Sequence, residues 1–267
     1  MAAGSILNNI SALGASRQLG ITNQGLEKTI QRLTTGKRIN MAADDAAGLA
    51  ISNRLNADIR IAVQARRNAF DGVAMLQVAD GVLDEATNLL TRAAELTEQA
   101  RTGTISSENR TAIDAEFQKI QTALTVLSRD TKFNGQTVFT DNSTNISLAD
   151  FAMQDVKIGN MAGTFTGSLI GAGGTDVDTV KNSISTALAN VSMQRASIGA
   201  SMQNLYSFAN SLGIEVENYT AAFSQIRDAN IADEVISLTK FQVLNQSGTS
   251  ALGQSNQAAQ SVLSLLR

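Results

Sequence analysis

The chain has 267 residues, a net charge of −3 and no Cys, His, Pro or Trp. Without Cys there is no disulfide framework and no thiolate metal site, and without His the commonest general base near neutral pH and the commonest metal ligand are gone. A charge this small with both signs interspersed is no nucleic-acid footprint, and no run approaches the ~18 apolar residues of a membrane-spanning helix.

The elements fall in a simple order. Residues 5–33 carry apolar side chains at helical spacing: Ile6, Ile10 and Leu13, then Leu19, Leu26, Ile30 and Leu33, with a phase shift between the two sets. Gly14, Gly20 and Gly25 lie inside this helix. Each costs about 1 kcal/mol relative to Ala, so the helix needs a partner. Residues 34–43 (TTGKRINMAA) read as a connector. From Asp44 to Arg101 the helical pattern resumes, with Leu55, Ala62, Ala69, Leu76, Leu83 and Leu90 seven apart. Ile59, Val73 and Ala94 fill an offset of four, a row interrupted by Arg66 and Asp80. A helix this long, at ~1.5 Å per residue, spans ~80 Å and must run beside other long helices.

Residues 102–106 read as a turn, and Ser107 with Glu108 starts a helix bearing Ile113, Phe117, Ile120, Leu124 and Leu127. The short loop folds it back antiparallel on its neighbour. Residues 133–178 are rich in Gly, Thr, Ser and Asn, with strand-like pieces at Thr137–Thr140, Asn145–Leu148 and Thr164–Ile170, which predict a small set of hairpins. From Val180 a helix returns through Ile184, Ala187, Val191, Gln194 and Ile198 to Met202, Leu205, Ala209, Leu212, Val216, Tyr219, Phe223 and Ile226. Two steps of four before Met202 form a stutter that relaxes the supercoil. A last helix from Ile231 to Leu266 is capped by Asn230 with Asp233, and its stripe includes Val235, Leu238, Leu252, Ala259, Leu263 and Leu266.

The fold class that follows is mainly α. Long antiparallel coiled-coil helices from the N- and C-terminal segments bracket a small β-hairpin region, and the terminal helices pair so that the chain goes out and comes back. The division expected is 1–43, an inner helix and connector; 44–132, a long helix and its return; 133–178, the β-rich region; 179–228, the returning long helix; and 229–267, the last inner helix.

Few residues invite chemistry. Asp44 and Asp45 could form a carboxylate pair, but acids at a helix start suit the positive dipole end. Gly171-Ala172-Gly173-Gly174 lacks the Gly-Lys-Ser/Thr of a phosphate loop and reads as a turn. The Asn-x-Ser/Thr triplets are what a chain rich in these residues contains, although Ser and Thr in 140–176 could carry surface glycans. The strongest signal is the apolar stripe on both terminal helices. A two-helix pair cannot cover it fully, so it demands neighbours, and identical copies in a head-to-tail contact that does not close give a helical filament. Ile6, Ile10, Leu13, Leu26, Ile30, Leu33, Leu238, Leu252, Leu263 and Leu266 are the candidate assembly residues.

Several segments resemble a known family. RLTTGKRINMAADDAAGLAISNRLNADIR (32–60), QARRNAFDGVAMLQVADGVLDEATNLLTRAAEL (64–96) and the Phe133-Asn134-Gly135 triplet are similar to the N-terminal block of bacterial flagellins. SQIRDANIADE (224–234) and LGQSNQAAQSVLSLLR (252–267) resemble the C-terminal block. Asn204, Gln225 and Ala259 depart from the residues usual there.

The resemblance implies a filament subunit for motility, with an inner coiled-coil layer, an outer layer of long helices, and no inserted surface domains. The alternative is a hook–filament junction protein. No enzymatic activity and no cofactor is expected; a His-Glu-x-x-His metallopeptidase insert is excluded by the absence of His. Implied partners are further copies of the chain, a flagellar export chaperone, the filament cap and the hook-junction proteins, with no nucleic acid and no membrane insertion. The N-terminal MAAGSILNNISALGAS carries no secretory leader, and the resemblance implies secretion through the flagellar export apparatus, a route that a chain without Cys or Pro suits. It also implies a Toll-like innate immune receptor contact at Arg92, Leu96 and Glu116. Ala94 and Glu98 differ nearby from the family pattern.

Overall fold

The structure, a computed structural model, describes residues 9–139, 144–148, 151–156, 169 and 175–265. Five helices carry it: α1 (Ile10–Thr35), α2 (Ala46–Arg101), α3 (Ser107–Asp130), α4 (Thr175–Arg227) and α5 (Ile231–Leu265). Between α3 and α4 lie two antiparallel hairpins, β1 (Lys132–Phe133) with β2 (Gln136–Thr137), and β3 (Thr144–Leu148) with β4 (Phe151–Val156). The mainly helical expectation with a small hairpin region stands. Among the described residues no helix is long and apolar enough to cross a membrane.

Local chemistry sets the helix ends. Asn9 Oδ1 accepts from the Ala12 amide at 3.0 Å and caps α1. Gly36, at φ 67°, closes it in the left-handed conformation that glycine tolerates. Asp45 Oδ1 accepts from the Gly48 amide at 2.9 Å at the head of α2. The Ser106 hydroxyl accepts from Asn109 at 3.3 Å at the head of α3. At α5 the Asn230 carboxamide oxygen accepts from Ala232 at 3.1 Å, while its nitrogen donates to Asp233 at 2.9 Å.

The chain divides into two compact units, one made of residues 1–58 and 218–267, the other of 59–217. In the 59–217 unit, α2 and α4 run antiparallel. Arg195 bridges Asp80 at 2.9 Å and Asp84 at 2.8 Å, Phe70 meets the Tyr206 ring edge-on, and Arg101 reaches Asp178 at 3.5 Å. The row Ala62, Ala69, Leu76, Leu83 and Leu90 is buried as expected, together with Ile184, Ala187, Val191, Ile198, Leu205, Ala209 and Leu212 of α4.

The second row of α2 differs from the expectation. The residues accompanying the first row stand three, not four, positions on: Ala65, Gly72, Ala79, Ala86, Ala93 and Ala100, all buried. Of the offset-four residues Val73 is buried, whereas Ile59 and Ala94 are half-buried. Arg66 and Asp80 interrupt nothing, because they lie off the seam. Arg66 sits 5.8 Å over the Phe70 ring, and Asp80 pairs with Arg195.

Helix α3 folds back on the far part of α2, where Ile113, Phe117 and Ile120 pack with Ala93, Leu96 and Ala100 from α2, with Val180 and Ile184 from α4, and with Leu169. Asp114, buried beside them, accepts hydrogen bonds from the Leu169 amide and from Gln118 Nε2. This carboxylate therefore anchors the backbone at Leu169.

The hairpins correct part of the strand reading. Asn134 and Gly135, with φ of 50° and 81°, form a two-residue turn of the kind whose twist suits paired strands. Of Thr137–Phe139 only Thr137 is in a strand, and Thr140 lies outside the described residues; Val138 donates to the Thr131 carbonyl at 3.0 Å, and Val138 and Phe139 are buried in the core. Asn145–Leu148 falls within β3, whose pairing with β4 runs from Thr144 opposite Val156 to Leu148 opposite Phe151. Thr164–Ile170 lies outside the described residues except for Leu169, which is buried in a turn.

Candidate self-assembly surface

In the unit that holds both ends of the chain, α1 and α5 lie side by side and antiparallel. Going up α1, Asn9 donates to the Ser255 carbonyl at 3.1 Å, Leu19 lies beside Gly248, Asn23 is hydrogen-bonded to Asn245, Gly25 faces Phe241, and Arg32 pairs with Glu234 at 3.2 Å. The α1 seam is Ala12, Ala15, Leu19, Thr22, Leu26, Thr29 and Leu33, and the α5 seam is Glu234, Leu238, Phe241, Asn245, Gly248, Leu252 and Ser255. Both alternate steps of three and four, the repeat of a two-stranded coiled coil.

The seam is thin. Only Thr22 and Thr29 of α1 are fully buried, and their hydroxyls donate to the Gln18 and Gly25 carbonyls at 3.0 and 2.9 Å within their own helix. Among the side chains described on α5, none is fully buried. Six large apolar residues, Leu19, Leu26, Leu33, Leu238, Phe241 and Leu252, serve the seam. Nine are exposed instead: Ile10, Leu13, Ile21 and Ile30 on α1, and Ile231, Val235, Ile236, Val243 and Leu244 on α5. Among the described residues this helix pair therefore turns more large aliphatic residues to the outside than it spends on its own seam, the pattern of a surface awaiting partners.

That geometry sorts the candidate assembly residues. Leu26, Leu33, Leu238 and Leu252 are half-buried in the intrachain seam, whereas Ile10 (74% exposed), Leu13 and Ile30 are open. The phase shift between Leu13 and Leu19 thus marks two faces of one helix. Leu263 is in α5 but its side chain lies outside the described residues, as do Ile6 and Leu266 entirely. Ile21, Ile236 and Val243 join the open face without having stood out among the candidates. Their spacing relative to Ile10 and Leu13, and to each other, is the signal that could have found them.

The connector between α1 and α2 is braced against the one between α4 and α5. The Arg38 amide donates to the Arg227 carbonyl at 2.7 Å, the Ala229 amide to Gly36 at 2.9 Å, and the Arg38 guanidinium to Ile226 at 2.8 Å. Asp44 accepts from the Met41 and Asn40 amides at 3.1 and 3.2 Å. With Asp45 capping α2, both carboxylates are engaged in holding backbone, which supports the helix-start reading over acid–base chemistry.

The Met41 amide first, then that of Asn40, holds the Asp44 carboxyl below its ordinary value of 3.8. The sign follows from the depressed folded value. The contribution is complete above the unfolded pKa and is lost as pH falls through the folded one. In an acid titration followed by NMR, the Met41 and Asn40 amide protons will shift with a midpoint below 3.8, and Asp44→Asn will abolish that step. A midpoint above the ordinary value would contradict the assignment.

Arg92 and Glu116 are exposed and joined at 2.9 Å, with Glu95 at 3.0 Å from the same guanidinium. Leu96, expected beside them as a receptor contact, is 1% exposed and packs in the core with Phe117. Its side chain points beneath the surface that Arg92 and Glu116 form, so direct contact through Leu96 is ruled out in this fold. No group of three or more Asp or Glu that could hold a metal ion occurs among the described residues.

Residues 6–144 match the model of the bacterial flagellin N-terminal helical region, and residues 182–266 match that of the C-terminal helical region. The chain belongs to the bacterial flagellin family. It is 37% identical to flagellin FlaB1 of Treponema pallidum over 98% of its own length and 99% of that protein. It is 34% identical, with the same coverage, to a flagellar filament core protein of Treponema phagedenis. The crystal structure of Bacillus cereus flagellin shares the fold at a TM-score of 0.50 and 23% identity, over 55% of this chain and 88% of that one. This chain and these treponemal relatives thus match along nearly the whole of both.

Proposed function

We infer that this flagellin is the structural subunit of a bacterial flagellar filament, assembled from many copies of itself, and that it catalyses no reaction. The carrying observation is the outward apolar face of the terminal helix pair, together with family models matching both ends of the chain. Both matching models are flagellin models, and they favour the filament over the hook-junction alternative. The inner layer would consist of 1–43 and 229–267, and the outer layer of 44–132 and 179–228 around 133–178.

The proposed contact between copies uses Ile10, Leu13, Ile21 and Ile30 of α1 with Ile231, Val235, Ile236 and Val243 of α5. Burying one such side chain is worth about 1.5–3 kcal/mol, and repetition along a polymer multiplies it. Ile236 and Val243 stand two helical turns apart and are 67% and 58% exposed. Changing both to Asp will leave the helical content of the monomer intact and raise the concentration needed for growth on filament seeds at least about tenfold. Growth at the parent concentration would remove the basis of the proposal.

We further propose export through the flagellar apparatus and binding by its chaperone, the filament cap and the hook-junction proteins, a reading that the family membership supports. Recognition by a Toll-like receptor is proposed through the exposed Arg92–Glu116 pair, with the buried Leu96 in the core behind it. Arg92→Ala monomer will activate such a receptor less than the parent. Equal activation would rule out this contact.

A further inference from the structure

The α1–α5 seam contains one layer of unusual shape. A Cβ placed on Gly25 would sit 2.6 Å from both Cε1 and Cζ of the Phe241 ring, closer than any side chain accommodates without displacement. Gly14 and Gly20 on the same helix have open space at the corresponding position. Gly25 is therefore a notch, and Phe241 is the knob that occupies it. Among the described seam residues it is the only aromatic one. Elsewhere the seam offers Thr hydroxyls satisfied within their own helix, small residues and five leucines, of which Leu19 lies against Gly248 with a milder contact of 3.1 Å to a Cβ placed there.

We propose that the Gly25–Phe241 layer fixes the register of α1 on α5 and selects α5 of the same chain as its partner. A slip by one heptad places Phe241 opposite Gln18 in one direction and Arg32 in the other. Either side chain fills the space that the ring needs, and the Arg32–Glu234 ion pair is broken as well. Among the observed position and the two one-heptad slips, only Gly25 leaves room for the ring. Register then decides which apolar residues lie outward for neighbouring copies, so this inference deepens the filament reading and rests on it for its biological consequence.

The absence of Cys from the chain allows a direct test. Three double-Cys variants of the full chain are oxidised, as monomer and as polymer grown on seeds: Asn23→Cys with Asn245→Cys reports the observed register, and Ser16→Cys or Ile30→Cys with Asn245→Cys reports the two slipped ones. The in-register pair will close within one chain at least about tenfold more efficiently than either slipped pair. Adding Gly25→Leu will erase that preference, because the ring cannot clear a branched side chain as it could a single methyl. Exchanging the two residues, Gly25→Phe with Phe241→Gly, will restore it. The preference will survive Gly14→Ala, which meets nothing.

Equal closure of all three pairs in the parent, retention of the preference in Gly25→Leu, or failure of the exchange to restore it would each overturn the register lock. Failure of the parent chain to grow on seeds would instead overturn the filament reading. The two are separable because cross-linking is read in the monomer as well.

Discussion

Phe117→Ala will lower the stability of the 59–217 unit by about 3–5 kcal/mol, the range for truncating a fully buried aromatic. Phe117 has no exposed surface and lies where α3, α2, α4 and Leu169 converge, with Ile113 and Ile120 one turn to either side. Its neighbours cannot collapse into the vacated space. Two long helices and a turn surround it, and Asp114 next to it holds the Leu169 backbone in place. Denaturant unfolding followed by helical signal will show the midpoint falling, with Ile214→Ala as the reference. Ile214 is 62% exposed, so its truncation will move the midpoint little. A loss below about 1 kcal/mol for Phe117→Ala would mean that α3 is not an integral part of this core.

Much of this architecture is legible in the sequence because long helices repeat their signal many times. Leu76, Leu83 and Leu90 by themselves give the period of α2, and the run from Met202 to Ile226 does the same for α4. The Asn134-Gly135 hairpin is equally readable, since both residues sit where positive φ is required. Hydrophobicity alone cannot separate the two faces of α1. Ile10 and Leu13 look like the start of the stripe that Leu19 and Leu26 continue, and only pairing with α5 shows that they belong to opposite sides. Leu96 illustrates the same limit. Its position one turn from Arg92 puts both near one surface, but the packing of α3 over α2 decides which of them reaches solvent. Nor does the sequence mark Gly25 as different from Gly14 and Gly20, because the partner that makes it a notch lies more than two hundred residues away.

The small-residue row of α2 carries the other large effect. Ala86→Leu will destabilise the chain by about 3 kcal/mol, at the upper end of what overpacking costs. Two accounts of the row predict opposite signs. If Ala65, Ala79, Ala86, Ala93 and Ala100 are present only because Ala is the best helix former, a Leu at Ala86 loses almost nothing in propensity. It would then gain stability by burying more apolar surface. If the row is small because another helix backbone presses against it, the added carbons have nowhere to go. The structure favours the second account: Ala79, Ala86, Ala93 and Ala100 have no exposed surface at all, alongside Leu76 and Leu83 at the same value. Alanine has little side chain with which to hide itself, so complete burial of successive alanines at heptad spacing means that neighbouring atoms close over the helix. Ala200→Leu on the exposed face of α4 supplies the control and will be near neutral. Thermal unfolding of the two variants beside the parent decides between the accounts. A raised midpoint for Ala86→Leu would show that the seam has room, and that the Leu rows alone set the spacing between α2 and its neighbours.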